Sequence, residues 1–165
     1  MIRLAKPADH PAIAAIIEPA FIAEFGQSTE NALVAQLRGD GDVVFELVAE
    51  QEGQIVGHIL YSRLWVASTH LYAALAPMTV RIDHQKAGIG SALIRASFET
   101  ARDFGVHGIL VLGHPKYYER FGFTTEAAAG VSSPYSGTPA FKGLALGEGA
   151  FDVPITVAYP TAFSA

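Results

Sequence analysis

At 165 residues, half of them hydrophobic, with a net charge of −5 and a mean hydropathy of +0.29, the chain can bury one sizeable core; a domain of this length hides roughly 70% of its unfolded surface. The lack of cysteine excludes a disulfide framework and any acyl-thiol intermediate on the protein, and the acidic balance, with no run of Lys or Arg, argues against nucleic acid or an anionic membrane as partner. No stretch approaches the roughly 20 apolar residues of a membrane span and residues 1–7 hold no long apolar leader, so a single cytoplasmic domain over 1–165 is expected, its apolar surplus mildly favouring a homodimer.

Residues 2–4 can form a short strand ended by Pro7. Asp9 is placed to cap a helix that tolerates Pro11 in its first turn and repeats Ile13, Ile16, Ile17 and Phe21 at helical spacing, while Pro19 should kink or end it. Gly26 breaks the chain, Ser28 or Thr29 can cap a second helix, and Leu33, Val34 and Leu37 give that helix a buried stripe up to Arg38. Residues 43–50 and 55–66 read as an antiparallel pair around Gln51-Glu52-Gly53-Gln54, with the glycine suited to positive φ. Trp65 and Phe21 read as core residues, and His58 as a core histidine with its hydrogen bonds satisfied. A further strand spans 75–82. The next helix, 88–104, carries Leu93, Ile94, Phe98, Ala101 and Phe104 on one face and Arg95, Glu99, Arg102 and Asp103 on the other, and closes at Gly105. Residues 109–112 form a short buried strand, a short helix follows, 127–137 is loop, and 141–146 and 155–159 supply the last two strands.

Between the strand at 75–82 and its helix lies Gln85-Lys86-Ala87-Gly88-Ile89-Gly90-Ser91. Two glycines at a strand-to-helix junction let backbone approach a ligand, and the first N–H groups of the helix lack intrahelical partners, so the stretch reads as a cradle for an anion. A P-loop would need a Gly-Lys-Ser/Thr ending, which is missing, and a dinucleotide fingerprint would need a third glycine where Leu93 stands. What remains, Gln85-x-x-Gly88-x-Gly90, resembles the Gln/Arg-x-x-Gly-x-Gly/Ala motif of the GNAT N-acetyltransferase superfamily. Downstream, Gly113-His114-Pro115-Lys116-Tyr117-Tyr118-Glu119-Arg120-Phe121-Gly122-Phe123 resembles that family's second signature, at the spacing the family leads one to expect. The pattern Leu75-x-Pro77-Met78-x-Val80 and the segment Tyr117-Tyr118-x-x-Phe121-Gly122-Phe123 look most like the small bacterial YhbS-type branch. Two positions depart from the family pattern: Ile82 stands where proline is frequent, and Lys86 where glycine is common.

The resemblance covers nearly the whole chain and implies an α/β (α+β) fold, a twisted mixed sheet of about seven strands flanked by about four helices. It also implies acetyl-CoA as cosubstrate and direct transfer of its acetyl group to a primary amine of a small molecule or peptide, with no metal. By position, Met78, Thr79 and Val80 would lie along the pantetheine arm, with the Val80 N–H a candidate donor to the developing oxyanion. Gln85, Lys86, Ala87, Gly88, Ile89, Gly90 and Ser91 would hold the diphosphate. Tyr117 and Phe121 would border the cofactor, although Tyr117 also reads as structural. Tyr118 matches the tyrosine that many family members use as general acid toward the sulfur, and packing against the pantetheine is its other reading. His114 can relay a proton or be a turn residue. The glutamate that relatives often carry on the strand entering the loop is missing, since no acidic residue occurs between Glu52 and Asp83. Glu24, Glu30 or a water chain would have to replace it. A CoA-binding module without turnover is the competing reading, and a purely structural dimer the third.

Overall fold

The computed structural model describes residues 1–164. Its elements in chain order are β1 (Ile2–Leu4), α1 (His10–Phe25), α2 (Glu30–Gly39), β2 (Val43–Gln51), β3 (Gln54–Val66), β4 (Leu71–Val80), α3 (Ile89–Asp103), β5 (Val106–Leu112), α4 (Pro115–Glu119), α5 (Thr125–Ala128), β6 (Val131–Ser132), β7 (Phe141–Ala145) and β8 (Ile155–Ala158). The main path of the mixed sheet runs β1-β2-β3-β4-β5-β7, with β8 attached to the far end of β3 and to β6. The α/β reading thus holds, with eight strands and five helices. The additions, α5 and β6, lie where the sequence reads as loop: Thr124 Oγ1 accepts from the Ala127 N–H at 3.0 Å and starts one turn of helix, while Val131 pairs with Ile155. Elements this short leave almost no periodic signal.

β3 is the centre of the molecule, buried on both faces from Ile55 to Ser62. One face is covered by α3, whose Leu93, Ile94 and Ala101 meet Leu47, Ile59 and Tyr61; the other is covered by α1 and α2 through Ile13, Ile17, Val34 and Leu37. Gly57 permits the approach of α3, because a Cβ there would stand 2.8 Å from the Leu93 side chain. The buried Tyr61 hydroxyl is satisfied by Ser97 of α3 at 2.7 Å, as a phenol in a core must be. Positive φ at both Glu52 and Gly53 closes the β2–β3 hairpin.

Three local expectations are corrected. Of the two outcomes expected at Pro19, the ending does not occur, for α1 runs through it to Phe25; Pro19 is exposed, so the carbonyl that loses its amide partner faces water, while buried Ile16, Ile17 and Ala20 hold the turns on either side. Asp9 does not cap α1 with its side chain: its carboxylate accepts from the Lys6 N–H at 2.8 Å and pairs with Arg3, whose guanidinium holds the carboxyl well below its usual range. Trp65 is 40% exposed, since strand alternation turns it outward beneath the Arg63 guanidinium, 4.5 Å from the ring centre.

Candidate active site

β4 and β5 are parallel neighbours only from Leu71↔Val106 to Ala74↔Leu110. Beyond that point each strand continues, β4 to Val80 and β5 to Leu112, and they part into an open cleft. Irregular β4 backbone marks the fork. Ile59 faces Met78 and Tyr61 faces Leu75, so Ala76 and Pro77 together stand opposite Leu60. Such a bulge re-aims the side chains beyond it, and places Leu75, Met78 and Val80 on the α3 face. The Arg81 N–H donates to Val56 O at 2.8 Å. Antiparallel alternation then turns the N–H groups of Met78 and Val80 away from β3 and into the cleft. Thr79 has the opposite fate: in register with His58, its side chain is buried on the α1 face, its hydroxyl unpartnered.

The cradle stretch lies at the wide end of this cleft. Gly88 has φ +87° and Lys86 φ +63°, so successive amides turn outward before α3 begins. Among the described residues, no group accepts a hydrogen bond from the backbone N–H of any residue from Lys86 to Ser91; the first helical bond is Ala92 N–H to Gly88 O at 3.0 Å. The Gln85 side chain donates to Val80 O at 3.1 Å and ties the loop to the strand edge. A groove of about 500 Å³ runs from Val80 over Gln85, Lys86, Gly88, Gly90 and Ser91 to Tyr117 and Arg120. Gly90 forms its floor: a Cβ there would lie 3.0 Å from the Tyr117 hydroxyl and 3.4 Å from the Met78 methyl. Six amides without internal acceptors at the N-terminus of a 15-residue helix are an arrangement that attracts an anion.

A second cavity of about 540 Å³ continues from the first, sharing Met78, Tyr117 and Glu24, and enters between the parted strands. Its walls come from α1 (Phe21, Phe25), the β4 bulge, the end of β5 and the start of α4. Tyr118 lines it and rests on Gly113, where a Cβ would lie 2.6 Å from the ring. Burial, then the nearness of Tyr117 and Glu24, pushes the Tyr118 hydroxyl well above the usual tyrosine value. It therefore stays protonated at any physiological pH. Glu30, the first residue of α2, lines the same cavity, and burial raises its carboxyl above the ordinary 4.5. His114 is 80% exposed at the rim, its Nε2 3.5 Å from the Glu24 carboxylate.

The residues singled out by sequence divide accordingly. Met78, Val80, Gln85, Lys86, Gly88, Ile89, Gly90, Ser91 and Tyr117 border the anion groove, and His114 and Tyr118 border the inner cavity. Ala87 adds only an amide without an internal acceptor. Phe121 is 8% exposed and packs in the core beneath α3, away from both cavities. His58 is buried, but only half satisfied. Its Nε2 lies 2.7 Å from the Glu46 carboxylate and its Nδ1 has no partner. Burial would raise the Glu46 carboxyl, yet hydrogen bonds from His58 and Arg38 bring it down to about 2, and burial in turn keeps His58 below its usual value. The pair is a neutral imidazole donating to a carboxylate that also binds Arg38, fixing α2 on the sheet. Arg120 was not singled out by sequence. Its guanidinium stacks 5.3 Å from the Tyr117 ring centre beside the groove, and only its place three residues after Tyr117, just past the end of α4, hints at this.

An anion-attracting loop, an open strand edge and a side cavity meet at one point of this fold. The model of the acetyltransferase (GNAT) family matches residues 10–123, and the chain belongs to that family. In sequence it is 31% identical over 140 residues to the uncharacterized N-acetyltransferase YhbS of Escherichia coli strain K12, covering 84% of this chain and 81% of YhbS. It is 39% identical over 117 residues to YjhQ of the same organism, covering 67% and 65%. In structure it is similar to E. coli YhbS crystallised with CoA, at a TM-score of 0.89 and 28% identity over 100% of this chain and 92% of that one. A GNAT acetyltransferase from Brucella melitensis in complex with acetyl-CoA matches at a TM-score of 0.80 and 33% identity, over 99% and 97%.

Proposed function

We propose that the chain is an acetyl-CoA-dependent N-acetyltransferase that passes the acetyl group directly to a primary amine of a small molecule or peptide. The observation that carries this reading is the run of free amides from Lys86 to Ser91 at the mouth of the cleft between β4 and β5. The CoA and acetyl-CoA held by the two similar structures support the same cosubstrate here.

Acetyl-CoA supplies an activated acyl carbon and a thiolate leaving group. The loop amides hold its diphosphate, and the cleft-facing N–H groups of Met78 and Val80 take the pantetheine as an added strand edge. The Val80 N–H donates to the thioester oxygen as negative charge grows there. Glu30, with its raised carboxyl, receives the proton of the incoming ammonium, and Tyr118 hands its own to the departing sulfur. His114 and Glu24 at the rim can carry the proton taken by Glu30 out to solvent, and the second proton lost by the acylated nitrogen restores the Tyr118 hydroxyl. The reading is tested by mixing protein, acetyl-CoA and a panel of primary amines and following free thiol. Amine-dependent thiol release is the expected outcome. Tight acetyl-CoA binding with no release for any amine would leave a CoA-binding module instead.

A further inference from the structure

We infer that the acceptor is a small primary amine carried on an aromatic or branched hydrocarbon body and free of any anionic group. This rests on the acetyltransferase reading above and specifies what its inner cavity takes.

Charge is the first reason. Among the described residues, no Lys or Arg lines the inner cavity, while Glu24 and Glu30 both do. Its one cation-capable side chain, His114, is already engaged with Glu24 at 3.5 Å. An ammonium entering here meets two carboxylates. A carboxylate beside that ammonium, as in any free amino acid, would lose its water with no partner to receive it and two like charges to repel it.

The walls are the second reason. Phe25 and Leu112 are 61% and 47% exposed, and both border this cavity from opposite elements, α1 and β5. Large apolar side chains left in water around a concave site are surface for a ligand to cover. Phe21 stacks on Phe25 with ring centres 5.7 Å apart, extending one aromatic wall inward towards Pro77. A ring or branched chain attached to the amine would lie against that wall, and a volume of about 540 Å³ suits a small molecule. A peptide would add backbone N–H and C=O groups to walls that are mostly hydrocarbon.

The test uses the full chain with saturating acetyl-CoA and three acceptors sharing one ring: phenethylamine, phenylalanine, and a short amidated peptide beginning with phenylalanine. Thiol release should give phenethylamine a kcat/KM at least about 100-fold above phenylalanine and about 10-fold above the peptide. Phe25→Ala should raise KM for phenethylamine several-fold and leave KM for methylamine unchanged. Glu24→Arg, a change at an exposed position, should narrow the gap between phenethylamine and phenylalanine at least about 10-fold. Phenylalanine or the peptide matching or exceeding phenethylamine overturns the inference while acetyl transfer itself stands. A folded protein that releases no thiol with any amine overturns both.

Discussion

The two halves of the groove are made of different material. At the outer half, the ligand would meet main chain: amides of residues 86–91 and the bare edge of β4. At the inner half it would meet side chains from five elements: Phe21, Phe25, Glu30 and Tyr118 among them. A seat built from backbone depends on where glycine is allowed and recognises what every acyl-CoA shares. A cavity built from side chains can be re-cut by substitution without disturbing the fold. On the proposed function, recognition of the common cosubstrate and of the particular acceptor falls to different parts of the groove, which share Met78, Tyr117 and Glu24.

The most damaging change should fall in the backbone half. Gly90→Asp brings a Cβ to within 3.0 Å of the Tyr117 hydroxyl and a negative charge to the phosphate seat. Calorimetry should show acetyl-CoA affinity reduced by on the order of 100-fold or more, with Gly90→Ala in between because it adds the contact but no charge. Native affinity in a folded Gly90→Asp protein would mean that the cosubstrate lies elsewhere. Tyr118→Phe is the matching change in the side-chain half. It keeps the ring that packs on Gly113 and removes only the hydroxyl that carries the proton, so kcat should fall roughly 10- to 100-fold with acetyl-CoA affinity almost unaltered. Equal turnover would make Tyr118 a packing residue.

A smaller effect should separate the halves by pH. Burial holds the Glu30 carboxyl above 4.5, and a base works only when deprotonated. Activity is therefore present above its raised value and lost as pH falls through it. The acid limb of kcat/KM should lie above the ordinary glutamate value, and Glu30→Gln should abolish that limb and lower the plateau about 10-fold. Acetyl-CoA binding measured over the same pH range should show no such step, because the amides that hold it do not titrate.

This division also explains what could be read from the chain itself. The seat was legible because Gly88 and Gly90 sit at a junction of two strongly patterned segments, and Gly113 and the Tyr-Tyr pair follow at a fixed distance. The long elements were legible for the same reason: β2, β3 and α3 repeat their apolar residues over many turns or pleats. The inner cavity was legible only as separate candidates, Glu24, Glu30, His114 and Tyr118, and not as one enclosed space. Phe25 and Glu30 flank Gly26 in a segment without periodicity, and only the folding back of α1 and α2 over the fork brings them opposite Tyr118. Nor does any local pattern tell that Phe121 turns into the core while Tyr117, four residues earlier, faces the groove. Buried polar pairs such as His58 and Glu46 are equally silent, because their partnership depends on cross-strand register rather than on spacing.

Lys86 is where the outer half departs from its own rule, and it gives the finest test. Its φ of +63° is one that glycine adopts freely and a lysine adopts at a cost of about 1 kcal/mol. Lys86→Gly removes that strain and lets the unfolded chain gain freedom, so the two effects nearly cancel and stability should change by no more than about 1 kcal/mol. Its ammonium is exposed, and an exposed charge at a phosphate contributes about 0.2–1 kcal/mol. Acetyl-CoA affinity should therefore fall at most about fivefold, and the gap from the parent protein should close as salt is raised. Lys86→Ala should lose the same affinity yet be less stable than Lys86→Gly, because it keeps the strained conformation without the charge. A loss of 50-fold or more in both variants would show that the lysine side chain, and not the row of amides around it, anchors the diphosphate.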